Sequence, residues 1–596
     1  MLRRRATLAA LTAAALMLPA AAYAATDPVS GSLVSSGSPS TPFSQNKQNE
    51  PQIAINPITP SLQAAGSNDE VDLESCAAGN PTTCPFTAGV GVSGIYLSQT
   101  SGTSWDQPTY TGYSARGCLG PAACTPKTGK IGTLPNYNTS GLVSGGDPAL
   151  VWGPAPTTGG HFSWGKQRLY YANLAENFPG TSTFAGPEAV YASYLDSNHF
   201  ADAHAGVNSA WSTPKPVSKQ NSALFSDKEE IWADNVSTSP HFGSVYICNV
   251  AFRSNSKGGG SAEPLLFARS TDGGNSWTPR QITAAVNNAQ NGGRQGCAVR
   301  TDSKGVVYVF YAGTDHRTGG SVFFVQRSFN GGVNFDRPRV AARVTEVGLP
   351  DPATGRLSFD GIAGARTSTF PSVDIANGAP TGTGATDQIV LTSSTGTTPS
   401  NTSPGPNEQA PIWSSSNQAG SFTVLTPNAA PATDRPDFPA LAIAPDGSKI
   451  YLTYDNFLQP WQSKTDTPRL MQGVVRTVNP STGVAGALSR QMTGDARGSS
   501  QNGKTAEFLG DYNYAAATRT GVSVVFNDVR RATDCPAIDR YRAAFVAAVQ
   551  AGTAQPMDEG DSAAPAASGS PIAPAPVRDC PAGFGNSDIY GFSSIG

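Results

Sequence analysis

Apolar and aromatic residues in this chain come in short runs, each closed by glycine, aspartate, asparagine or proline, and seven of the runs open alike. EPQIAI (from Glu50), DPALVW (from Asp147), EEIWAD (from Glu229), GCAVRT (from Gly296), FPSVDI (from Phe370), FPALAI (from Phe438) and GDYNYA (from Gly510) each set an acid, proline or glycine at the head of a strand. A second, aromatic-rich run often follows: SVYICNV (from Ser244), VVYVFY (from Val306), KIYLTY (from Lys449) and VSVVFN (from Val522). ALAIAPDGSKIYLTY is the cleanest hairpin, with Asp446-Gly447 in its turn. Strand-length runs between turn residues predict an all-β chain. The first members recur every 65 to 95 residues or so, which predicts an array of sheets with elaborated loops.

Three stretches share a tighter pattern, Ser-x-Asp-x-Gly-x-x-Trp. Ser270, Asp272, Gly274 and Trp277 in STDGGNSW form the intact copy. Ser328, Asn330, Gly332 and Phe335 in SFNGGVNF, and Ser98, Thr100, Gly102 and Trp105 in SQTSGTSW, are degraded copies. An Asp or Asn there accepts the next backbone N–H groups, glycine permits positive φ, and the aromatic plugs the hairpin into an apolar layer. The motif resembles the Asp-box (BNR) repeat of sialidase-like β-propellers, and the likeness covers most of residues 45–596. It implies a β-propeller of six or seven blades. Sialidases would favour six, and the seven first strands favour seven. A strand near Val29–Val34 would close the ring against the last module, which ends in SDIYGF from Ser587.

Residues 534–552 break the pattern with helical spacing, placing Ile538, Tyr541, Phe545 and Val549 on one face and Gly552 past the end. An Ala/Pro/Ser/Gly-rich stretch follows to about Val577 and is expected to be disordered. The whole of 534–580 reads as an insert in the last module, stapled by a Cys535–Cys580 bridge. Sequence proximity pairs the other cysteines as Cys76–Cys84, Cys118–Cys124 and Cys248–Cys297.

Residues 1–24 read as a signal peptide: Arg3, Arg4 and Arg5, an Ala/Leu run, then Ala22-Tyr23-Ala24 as the cleavage site. Residues 25–44 form an N-terminal segment that holds the ring-closing strand. No later apolar run approaches the ~20 residues that span a bilayer, so a secreted monomer without membrane insertion is expected. A net charge of −3 argues against a nucleic-acid partner. Charged residues make up 14% of the chain, well under the ~25% of an average soluble protein, so any cluster of them is informative.

In a propeller the heads of the first strands and the ends of the second strands share one face. The first set comprises Glu50, Asp147, Asp227 with Glu229, Arg294, Arg366, Arg435 with Asp437, and Glu507 with Asp511. Arg253, Asp315 with Arg317, Asp455, and Asp528 with Arg530 and Arg531 form the second. Sialidases hold a sugar carboxylate on an arginine triad and use a tyrosine nucleophile, its glutamate and an aspartate acid/base. Mapped here, the resemblance implies Arg294, Arg366, Arg435 and Arg530 for binding, and Asp147, Asp437, Glu507 and Tyr512 (or Tyr514) for catalysis. Sialidases also carry an early Arg-Ile-Pro motif, whereas the mature chain has no arginine before Arg116.

Two functions stay open: an exo-glycosidase acting on acidic sugars, and a non-catalytic propeller that binds a glycan or a protein. Neither calls for a cofactor. SNDEVDLES (Ser67–Ser75) offers four acids, with a calcium loop and a solvated loop as its two readings.

Overall fold

The computed structural model describes residues 31–594, apart from 38–46, 76–77, 80–86, 219–220, 255–259, 286–294, 316, 353–356, 360–361, 363–364, 368, 399–407, 460–466, 499–507 and 557–570. The signal sequence, Cys76 and Cys84, Arg294, Glu507 and the centre of the low-complexity stretch therefore lie outside the described residues.

The chain is an all-β, seven-bladed propeller, and the first strand of each blade contains one of the seven heads read from the sequence or starts within four residues after it. These inner strands are Gln48–Ile55, Leu142–Pro156, Leu224–Ala233, Gln295–Thr301, Ser372–Ile375, Pro436–Ile443 and Tyr514–Ala517. Each sheet then meanders outward through antiparallel neighbours. In the fourth, Val307–Asp315, Gly320–Ser328 and Arg339–Arg343 follow the inner strand. The seventh is completed from the far end of the chain. Ser32 and Leu33 pair antiparallel with Gly591 and Tyr590 on the outer side of Asp588–Ser593.

Strand periodicity explains how the sheets stack. Successive side chains on a strand face opposite ways, so one strand feeds two layers. In Val245–Ser254, Val245 and Ile247 pack toward the second sheet, whereas Tyr246, Cys248 and Val250 pack toward the fourth. An apolar layer of this kind lies between every pair of neighbouring sheets, including the seventh and first. Burying each Val, Leu, Ile or Phe there contributes roughly 1.5–3 kcal/mol.

The three repeated turns follow the third strands, at the ends of the sheets away from the strand heads; those at Ser270 and Ser328 lead into fourth strands, and that at Ser98 into a single bridge between Leu97 and Asp106. Asp272 accepts the backbone N–H of Asn275 (3.1 Å) and Ser276 (3.0 Å), and Ser270 Oγ accepts that of Gly274 (2.8 Å). Gly273 and Gly274 are left-handed, with φ of 74° and 85°. The Asn330 and Thr100 copies repeat the bonds through Asn334 and Ser104. A fourth such turn was not read from the sequence. Asn417 accepts from the N–H of Ser421 (3.0 Å), and Phe422 meets Phe310 edge-on. Its glycine position is Ala419, held at φ 57°, which hides it from a glycine-based pattern.

The insert holds the expected helix, Pro536–Gln550, with Ile538, Tyr541 and Phe545 buried. Arg542 is buried as well, while Val549 is only half-buried. The Cys535–Cys580, Cys118–Cys124 and Cys248–Cys297 bridges are formed.

Residues 67–75 are largely buried and do not form a solvated loop. Asp69 caps the turn Glu70–Asp72, Asp72 binds Arg116 and the Gly132 N–H, and Glu70 pairs with Lys47. Their acids serve as internal acceptors, and no metal-binding group occurs among the described residues.

Candidate functional site

Five inner strands carry the same irregularity near their heads. A bulge falls between Asn49 and Gln52, Gly146 and Ala149, Asp227 and Glu230, Gln295 and Ala298, and Asp437 and Ala440. In each, the residue after the first of these is left-handed: Glu50 (φ 55°), Asp147 (49°), Lys228 (54°), Gly296 (56°) and Phe438 (48°). Only one of the five is glycine. Side chains in this conformation carry about 1–2 kcal/mol of strain each, and here the bulges re-aim them at the head of the channel.

The charged members converge on Lys228. Its Nζ lies 2.8 Å from Asp511, 3.2 Å from Asp147, 3.3 Å from Glu50 and 3.8 Å from Asp227. Arg366 grips Asp511 from the other side with two bonds of 2.7 and 2.6 Å. The remaining arc is apolar, built from Gly296, Phe370 and Phe438. A Cβ on Gly296 would stand 2.5 Å from the Phe370 ring, so glycine is required where these two heads meet.

Carboxylates outnumber cations here, and their protons divide accordingly. Burial alone would raise Asp511, but Arg366 and Lys228 hold it well below the usual carboxylate range. Burial is likewise outweighed at Asp147, where Lys228 and hydrogen bonds from Glu50 and Asp227 keep it low. Burial and the charge of Asp147 push Glu50 well up, and burial, partly offset by Lys228, leaves Asp227 at about 6. Glu229 is also driven up by burial and Asp147, only partly offset by its own backbone N–H. Among these acids Asp227 is the one with appreciable exposure, 20% of its side chain.

Below the mouth the channel is shut. Arg300 binds Glu230 (2.7 Å) and the Tyr514 hydroxyl (2.7 Å), lies 4.5 Å over the Trp232 ring, and Gln52 donates to Glu230 (2.8 Å). Four inner strands thus meet in one polar knot. It separates the mouth from a second cavity of about 280 Å³ beneath it. Outward, the mouth opens into a cavity of about 590 Å³ that shares Asp227, Lys228, Arg366, Phe370 and Asp511 with it.

Of the residues shortlisted from sequence, Asp147, Tyr512 and Arg366 come together here. Tyr512 lines the channel 5.8 Å from Lys228 Nζ, and burial and the surrounding acids push its hydroxyl pKa well up. Asp437 occupies on the sixth sheet the register that Asp227 holds on the third. There its neighbour is Phe438, not a lysine, and it is buried across from Asp455. Arg435 is held by both oxygens of Glu408 (3.0 and 2.8 Å), and Arg530 by Asp528 with its guanidinium 3.6 Å over the Tyr590 ring. The described arginines are thus dispersed onto three different carboxylates. Lys228 was absent from the sequence reading, although its place inside SDKEE at a strand head was the available signal.

No family model matches the chain, and no curated protein matches it. Solved structures do resemble its fold. The α-L-arabinofuranosidase of Fusarium graminearum, solved with arabinobiose, shares 12% identity over 66% of this chain and 89% of its own, with a TM-score of 0.35. A leech intramolecular trans-sialidase shares 10% over 76% and 68%, with a TM-score of 0.36. The Trypanosoma rangeli sialidase shares 10% over 69% and 53%, with a TM-score of 0.34. At this distance no residue role is carried over from them.

Proposed function

We propose that the protein is a glycoside hydrolase of neutral sugars whose active site is the mouth of the channel, with Asp227 as its acid/base. The observation that carries this is the division of protons between Asp227 and Asp147. Two adjoining carboxyls pushed in opposite directions, the outer one facing a cavity at about 6, form an arrangement suited to giving and retaking a proton near neutrality. Asp147 is the ionised partner behind Asp227. Lys228, Arg366 and Asp511 fix the geometry, and Tyr512 presents its ring and hydroxyl across the channel.

The sugar is neutral in this reading because, among the described residues, neither cation at the mouth is spare. Lys228 and Arg366 already hold the chain's own carboxylates, so an acidic sugar would meet excess negative charge. The resemblance of the repeated turns to the Asp-box supports a carbohydrate over other substrates. Formed disulfides fit an oxidising compartment, which supports action outside the cell after removal of the expected signal peptide.

One observation favours a second reading, a propeller that binds neutral glycan without turnover: ion pairs hold Glu50, Asp147, Asp227, Asp511 and Arg366 in place around Lys228. Aryl glycosides of neutral sugars, a sialoside and a uronide, tested on the wild-type protein and Asp227→Asn, separate the two. Hydrolysis of a neutral glycoside that falls by about 10²–10⁴ in the variant, and that declines as pH rises through about 6, is the expected result. Turnover of the sialoside alone would overturn the neutral-sugar reading, and saturable binding without product would select the binding propeller.

A further inference from the structure

The 590 Å³ cavity is not explained by a site for one sugar ring. Pockets of roughly 300–1,000 Å³ bury molecules of drug size, the size of a disaccharide or more. Register shows how the space arises. Counting along second strands from the shared bulge, Thr314 of the fourth sheet stands where the third and sixth sheets carry Phe252 and Phe457. Ala312, two residues nearer the bulge, stands where the sixth sheet carries Asp455. The fourth sheet thus lacks the bulk that the third and sixth carry at these positions, and Ala312, Thr314 and Ser321 leave a shallow floor.

The walls suit a chain of sugars. Phe252 on one side and Phe370 beside the mouth offer apolar ring surfaces, on which the C–H face of a sugar packs. At the outer end Ser321 donates to Glu346 (2.8 Å), an exposed polar pair. The knot around Arg300 bars the channel below, so a long substrate has to extend sideways.

We infer that this cleft over the fourth sheet receives the remainder of a neutral oligosaccharide, so that the protein acts on sugar chains in preference to monosaccharide glycosides. The inference rests on the hydrolase reading for turnover, but not for binding, and the test exploits that difference. Linear oligosaccharides of the gluco, xylo, arabino, manno and galacto series are compared with the matching aryl monoglycosides on the wild-type protein and Thr314→Phe. Binding of the same oligosaccharides is followed by NMR saturation transfer.

Oligosaccharides are expected to show the higher kcat/KM. Thr314→Phe should lower it at least about tenfold while changing aryl glycoside turnover by less than about twofold. Ala312→Leu fills the same floor and repeats the test should Thr314→Phe fail to fold. The inference is overturned if chain length makes no difference, or if filling the floor affects both substrates alike. Should nothing be hydrolysed, oligosaccharide binding that Thr314→Phe weakens about tenfold upholds the cleft and sinks the hydrolase. Absence of binding to every series sinks the cleft.

Discussion

Replacing Lys228 by methionine removes one ammonium and little else. The side chain keeps its shape as far as Cε, and a residue unbranched at Cβ tolerates the left-handed backbone (φ 54°) as well as lysine does. What is lost is the counter-charge of four carboxylates, none farther than 3.8 Å from Nζ. Removing one partner from a buried ion pair costs about 3–5 kcal/mol. With four partners and one remaining guanidinium, Lys228→Met is expected near the upper end of that range at neutral pH. Proton uptake limits the loss, at about 1.4 kcal/mol for each pKa unit a carboxylate is shifted.

The same reasoning fixes the pH dependence. Asp147 and Asp511 are held below their unfolded values, in large part by Lys228. They contribute stability that is present above the unfolded carboxylate pKa of about 3.9 and is lost as pH falls through the folded values. The variant lacks this contribution. Its stranded carboxylates are in addition raised by burial above their unfolded values, a penalty that is full at neutral pH and disappears as they protonate toward about pH 4, so the deficit is largest at neutral pH and shrinks on acidification. Urea unfolding of both proteins at about pH 7.5 and about pH 4.5 reads the difference directly. A variant as stable as its parent at both pH values, or a deficit that grows on acidification, would refute the account of Lys228 as the hub.

Three other substitutions test separate parts of the structure. Arg435→Ala strands the buried Glu408 and should cost about 3 kcal/mol in urea unfolding with kcat/KM unchanged; loss of turnover in a folded variant would return Arg435 to the site. Ala419→Gly relieves the left-handed strain of the fourth turn (φ 57°) and should stabilise by about 0.5–1 kcal/mol, measured in the same way. Cys297→Ser, made with Cys248→Ser, opens the bridge that ties the third sheet to the strand lining the mouth. A loss of about 2–5 kcal/mol is expected, together with a fall in activity that the Cys118–Cys124 double variant does not show.

The inner strands were legible because their signals are local. A strand head such as Glu50-Pro51 or Phe438-Pro439 combines an apolar run with a turn residue in contiguous sequence, and so does the STDGGNSW turn. Asp147 and Arg366 were placed at the mouth by the same route, from position at a strand head, and Tyr512 by the sialidase resemblance. What escaped depends on which heads become neighbours and on how each strand bulges. Asp227 and Asp437 look alike in sequence and share a register, yet only Asp227 faces Lys228, because the residue after it is that lysine and the residue after Asp437 is Phe438. Arg435 and Arg530 carry charge in the expected neighbourhood, but Glu408 and Asp528 claim them first. Glu408 lies on a short side strand paired with Thr395 and Gly396, far in sequence from Arg435 and marked by no periodicity, whereas Asp528 ends a second strand just before Arg530.

The pairing of Ser32 and Leu33 with Tyr590 and Gly591 sets an order of events during synthesis. Local hairpins from the first sheet to the sixth can form as each segment emerges, since their strands are close in sequence. The seventh sheet cannot be finished until Asp588–Ser593 has been made, and the segment around Leu33 has to wait, unpaired, for almost the whole of translation. Contacts of such long sequence separation form slowly. A ribosome stalled before residue 588 would therefore carry an open horseshoe, with one sheet edge exposed at each end and prone to aggregation.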